Sequence, residues 1–228
     1  MDSRYCNRKL PIIARFKKEV ITFFGGGWFV KYNCPLSANI KEIIMPSKKR
    51  KKVTLHSFDP KEILHLHRQL FLYGSINSQS SNYVKQNLIA YDIVSNNPIT
   101  LWIASPGGSC ADGLAIIEIM QRIKSPVITI ISGEVDSMAS MISVCGDVRW
   151  AFKGTGTWMQ HPLSSGQADY LPYIVDRTAY LIRHNAILQN ILKEHTKLND
   201  DDYKKIETGE LWLIDDELIT KGIVDKLI

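Results

Sequence analysis

From Leu70 onward the chain alternates short, continuously apolar runs with longer segments in which apolar side chains recur every three to four positions. Runs of the first kind predict strands buried on both faces, and segments of the second kind predict helices lying on them. The predicted strands are Leu70–Tyr73, Ile99–Ile103, Val127–Ile131, Val148–Phe152, Thr157–Pro162 and Ile223–Leu227. Between them fall helices at Gln79–Val94, with Val84, Leu88 and Tyr91 on one face, at Ala111–Lys124, just after Ser137, and at Asp215–Lys221. Asp59-Pro60 pairs an N-cap residue with a proline suited to the first helical position, so a short helix runs to about His67. Residues 172–196 carry a long helical pattern opened by Pro172, long enough to project beyond the body. Strands alternating with helices imply parallel pairing through right-handed crossovers.

Composition changes this picture at one end. With 228 residues and 45% hydrophobic content the chain can bury a full core, as one domain plus an extension. Residues 1–52 hold 13 Lys/Arg against 3 Asp/Glu, whereas 53–228 hold 15 against 20. A basic leader therefore precedes an acidic body, and we divide the chain into an extension at 1–54, weakly ordered by composition, and a folded domain at 55–228. Lys48-Lys49-Arg50-Lys51-Lys52 would suit nucleic acid, an anionic membrane or an acidic partner, but a solvated tether is the simpler expectation, with no nucleic-acid role. The apolar stretch Val20–Val30 is broken by Gly25-Gly26-Gly27 and falls short of the roughly 20 residues that a membrane span needs. It also lacks a signal-peptide cleavage pattern. Cys6, Cys34, Cys110 and Cys145 show neither paired nor metal-ligand spacing, so reduced thiols, a cytoplasmic location and no metal are expected.

The candidate chemistry sits at two strand ends. Ser137, in Gly133-Glu134-Val135-Asp136-Ser137-Met138, lies between a strand and a helix, where a hydroxyl is held out of the sheet and following backbone N–H groups are free. Upstream, Ser105-Pro106-Gly107-Gly108 closes a strand with two glycines whose backbone can approach a substrate. Each loop alone also fits a capped helix or an ordinary turn. Together they form the halves of an acyl-transfer site. A serine needs a base, and of the six histidines only His161 falls at the end of a strand after the serine helix.

The Ser105-Pro106-Gly107-Gly108 loop, followed after a helix and a strand by Gly133-x-x-x-Ser137-Met138, resembles the ClpP family of serine peptidases, with the likeness running from about Gln69 to Ile228. The resemblance implies a crotonase/ClpP-like α/β fold of stacked β-α units with a protruding long handle helix. It implies a Ser-His-acid triad of Ser137, His161 and Glu210, with an oxyanion hole from Met138 and the Gly107–Gly108 loop, and no cofactor. It further implies heptameric rings, single or double, and an AAA+ Clp-type unfoldase delivering unfolded polypeptides.

Three departures from the family pattern matter. Gln160-His161-Pro162 stands where the family reads His-x-Pro, so an ungapped match seats Gln160 in the base's place. Only a bulge or a chain reset near Gly154-Thr155-Gly156 would return His161 to it. Glu210-Leu211-Trp212 offers a glutamate where the family has aspartate, with Glu207 in reserve. Gly209 stands in place of an arginine used in ring-to-ring contacts. Ser140 and Lys153 are weaker candidates for nucleophile and base, and Asp136 is expected to have no chemical role. The alternatives are therefore a catalytically lapsed structural subunit of such a ring and, more remotely, an acyl-CoA enzyme of crotonase fold.

Overall fold

The computed structural model describes residues 22–24, 27–29, 59–166 and 168–228. Within the N-terminal unit, 1–56, Thr22–Phe24 (β1) and Gly27–Phe29 (β2) pair antiparallel. The remainder of the leader, including its basic run, lies outside the described residues.

The second unit, 57–228, opens with helix α1 (Pro60–Leu66), whose N-cap Asp59 accepts from the Lys61 amide. It continues through β3 (Gln69–Tyr73), α2 (Ser78–Val94), β4 (Ile99–Ser105), α3 (Cys110–Arg122), β5 (Val127–Asp136) and α4 (Met138–Val144). After β6 (Val148–Ala151) and β7 (Thr157–Gln160) come α5 (Leu171–His195), α6 (Asp200–Thr208), β8 (Leu211–Ile214), α7 (Asp216–Thr220) and β9 (Lys226–Leu227). The strands β3-β4-β5-β6-β9 run parallel in that order, as the strand-helix alternation requires. Helix α6 and strand β8 have no counterpart in the sequence reading. The expected strand Ile223–Leu227 shrinks to Lys226–Leu227, because Ile223 and Val224 bond back to Leu218 instead of to the sheet.

Strand β5 organises the rest. The sequence ends it at Ile131, yet it runs on to Asp136 and changes neighbours on the way. Its first half pairs with β4 and β6, and its second half, Glu134–Asp136, pairs with β7 after a bend at Gly133, whose φ is 122°. The apolar run stops at Ile131 because that is where two-sided burial stops. Beyond it Ser132 and Gly133 are half-buried and Glu134 is exposed, and burial resumes at Val135 and Asp136, of which Val135 alone is apolar. Alternate residues of β4, Ile99, Leu101 and Ile103, are fully buried on the helix side, while Phe71, Trp102 and Phe152 stack on the opposite face.

Helix α5 is long, as expected, and only Leu188 and Leu192 are buried along it, so most of its length stands clear of the domain's core. Its C-terminal end is fastened by Arg149, which donates to the His195 and Gly222 carbonyls at 2.7 Å each and pairs with Asp225 at 2.7 Å. Arg149→Ala should lower unfolding stability by about 2 kcal/mol, mostly from the two carbonyls left without their charged donor and little from the half-exposed ion pair. Urea denaturation would show it, and Arg149→Lys should recover only part, since an ammonium cannot serve this fork of acceptors.

Candidate active site

Ser137 follows the last residue of β5 with φ 55° and ψ −124°, a region that non-glycine residues rarely occupy. Its backbone N–H donates to the Met159 carbonyl at 2.9 Å, which ties the turn to β7. All seven residues of α4 beyond it are buried, so the helix cannot move to relieve the turn. The side chain of Ser137 has no hydrogen-bond partner among the described residues.

The glycine loop is pressed against this elbow. A Cβ built on Gly107 would stand 2.6 Å from Ser137 Cβ and 2.9 Å from the Met138 nitrogen, and the φ of Gly107 is 84°. Ile76 holds the loop from the other side: its N–H donates to the Gly107 carbonyl at 2.8 Å and its carbonyl accepts from Ser109 at 2.9 Å. A Cβ on Gly108 would lie 2.3 Å from the Ile76 carbonyl oxygen, so only glycine fits there. The Gly107 N–H is already committed to Ser105 Oγ at 3.1 Å. Those of Gly108 and Met138 have no partner among the described residues, and both residues line the cleft that Ser137 opens into.

That cleft encloses about 460 Å³ between the elbow, α5 and α6. Met141, Leu188, Leu192 and Ile206 supply apolar wall, and Gln160, His161 and Glu207 supply polar groups. Strand β7 keeps regular pairing with β5 on one side and β8 on the other, from Thr157 to Gln160, with no bulge. No bulge within β7 therefore turns His161 onto the α4 side. Trp158 and Gln160 face α4, where both are buried. Trp158 Nε1 donates to the Ser140 carbonyl at 3.2 Å, and Gln160 Oε1 lies 2.6 Å from Ser140 Oγ.

His161 lies one residue past the strand, half-buried, with Nδ1 2.6 Å from the Pro162 carbonyl oxygen. A neutral imidazole makes that contact by donating from Nδ1, which leaves Nε2 as the basic nitrogen. Glu210 is exposed and accepts from Trp212 Nε1 at 2.9 Å. It does not line the cleft, whereas the reserve acid Glu207, carried by α6, does. Lys153 is exposed and lies outside the cleft lining. Ser140 is fully buried and its hydroxyl bonds back to the Ser137 carbonyl at 2.6 Å, as a second serine one turn into a helix would.

Asp136 had no expected role, yet it is only 4% exposed and its Oδ1 has no partner among the described residues. Burial, then the Glu134 carboxyl beside it and the charge of Glu210, push its carboxyl up to about 7. The sign follows: the neutral form belongs to the fold, so stability is lost as pH rises from the unfolded value of 3.8 to about 7. Asp136→Asn should flatten that slope and raise the urea midpoint at pH 8 while leaving it nearly unchanged at pH 4. A steeper slope in the variant would refute the assignment.

Among the described residues there is no cluster of three or more His, Cys, Asp or Glu able to hold a metal, and no helix long and apolar enough to cross a membrane. A serine on a strained strand-to-helix elbow, with the unpartnered amides of Gly108 and Met138 on the same cleft and a stack of β-α units beneath, is the arrangement that serine acyl transfer requires. A sequence model of the family described as Clp protease matches residues 51–228, and the chain belongs to that family. Membership implies the ClpP-like fold and serine-peptidase chemistry.

Proposed function

We propose that this chain is a proteolytic subunit of a Clp-type ring, cleaving unfolded polypeptides with Ser137 as nucleophile. The observation that carries the reading is the packing of Gly107 against the Ser137 elbow, which sets the Gly108 and Met138 amides on the cleft that holds the hydroxyl. Attack by Ser137 on a peptide carbonyl would place the developing oxyanion between these two donors. His161 is the base, acting from the mouth of the cleft through Nε2, with the Pro162 carbonyl fixing its tautomer in the part that a triad acid otherwise plays. Glu210 then acts at most through longer-range charge, and Glu207 is the carboxylate that borders the cleft. Family membership supports a heptameric ring, single or double, and an AAA+ unfoldase that feeds it, in the cytoplasmic setting expected of reduced thiols.

One observation favours a second reading. Gln160 is buried on the α4 side of β7, where an ungapped match to the family pattern would seat the histidine, and an amide cannot take a proton from serine. A subunit so built would hold its place in a mixed ring without cleaving. Covalent labelling by a fluorophosphonate separates the two: modification of Ser137 supports the peptidase, and assembled but unmodified protein supports the structural subunit.

A further inference from the structure

Ser140 Oγ lies 2.6 Å from Gln160 Oε1 and 2.6 Å from the Ser137 carbonyl oxygen. A hydroxyl carries one proton, so it cannot donate along both lines. Both contacts are satisfied when the amide is inverted, exchanging Oε1 for Nε2 at this position: Gln160 then donates to Ser140, and Ser140 donates to the Ser137 carbonyl. Turning the amide sacrifices little, because its other end lies 3.5 Å from the His161 carbonyl oxygen, at the outer limit of a hydrogen bond.

The Ser137 carbonyl and the Met138 N–H belong to one peptide unit. A hydrogen bond accepted at the oxygen fixes the plane of that unit and polarises its N–H, through the cooperativity of linked donors and acceptors in a buried site. The carbonyl also receives the Ser140 N–H at 3.1 Å and the Met141 N–H at 3.4 Å, so the hydroxyl is the shortest of its three donors. We infer that Gln160 and Ser140 form a positioning relay that aims and polarises the Met138 N–H as an oxyanion donor. The inference rests on the acyl-transfer reading of the cleft. It also gives Gln160 a task other than that of an absent base: the side chain is buried and joined to α4 through Ser140.

Two measurements on the full chain test it. In the first, the rate of fluorophosphonate labelling should fall about tenfold in Ser140→Ala, in the maximal rate and not in the probe concentration giving half of it, and Ser140→Thr should retain it. Gln160→Glu is nearly isosteric. Its protonated acid can donate to Ser140 and its carboxylate can only accept, so labelling relative to wild type should drop as pH rises from 5 to 9, whereas the Ser140→Ala ratio should stay flat. The second measurement needs no catalysis. With only 6 methionines in the chain, selective 15N-methionine labelling exposes the Met138 amide, and its resonance should shift in both variants. An unshifted Met138 amide in Ser140→Ala, or a pH-independent Gln160→Glu ratio, would overturn the relay. Wild-type protein that takes no label refutes the peptidase reading instead, and the amide resonance then decides the relay alone.

Discussion

A fluorophosphonate is expected to modify Ser137 alone, and Ser137→Ala to abolish both that label and the cleavage of peptides. The probe reacts only where a serine proton is being removed and the oxyanion that forms is stabilised, so it reads the elbow, the amides and the base together without any unfoldase. Other serines near the cleft lack one part or more. Ser140 is sealed in the core with its hydroxyl engaged, and Ser105 spends its oxygen on the Gly107 N–H. His161→Ala should slow labelling by about 10²- to 10⁴-fold, the ordinary share of general-base catalysis. Glu210→Gln should change it by much less, since that carboxylate is held by Trp212 outside the cleft, and Lys153→Ala should leave it unchanged. Gln160→His sharpens the comparison. It places an imidazole on the α4 side of β7, so a variant labelled far faster than a silent parent would establish a structural subunit with an otherwise intact site.

What could be read from the residues was whatever rests on local pattern. The strand-helix alternation predicted parallel topology, and the elbow and glycine loop were visible because glycine and small residues are obligatory where backbones meet. The second half of β5 was hidden, because Ser132-Gly133-Glu134 breaks the apolar run and becomes strand only through distant partners, β7 and, at Val135, β4. Strand β8 was hidden for a related reason. Leu211 and Leu213 are buried while Trp212 and Ile214 are exposed, an alternation too short to stand out from the helices on either side. With β8 and α6 unseen, the side on which Glu207 and Glu210 would fall could not be decided, and the choice of Glu210 rests on the family resemblance, which puts an acid two residues before an aromatic. The one-residue offset between Gln160 and His161 was legible, and a period of two along the strand already made it consequential. Its resolution needed the register of β7 against two neighbours. The Gln160–Ser140 contact joins positions 20 apart in sequence through that register, and nothing in either residue's immediate neighbours announces it.

Gly107→Ala is expected to disable the site as thoroughly as the loss of the base, without touching a group that bonds or transfers a proton. Two costs coincide at this residue. The φ of 84° is one that an L side chain resists, and the added methyl would meet Ser137 Cβ at 2.6 Å, the Asp136 carbonyl at 2.8 Å and the Met138 nitrogen at 2.9 Å. None of these is the flexible end of a side chain. The elbow cannot yield, because α4 is buried along its whole length and the Ser137 N–H is bonded to β7. The glycine loop must yield instead, and as it withdraws from Ser137 it carries the Gly108 amide away from the oxyanion position. Losing one such donor typically lowers the chemical rate about 10²- to 10³-fold, with substrate binding largely retained. The core beneath, built on Leu101, Ile103 and Val135, is not displaced, so the variant should fold, assemble and melt cooperatively while labelling at a small fraction of the wild-type rate. If Gly107→Ala labelled as fast as wild type, the loop would not be part of the oxyanion hole, and Met138 would have to serve as its only donor.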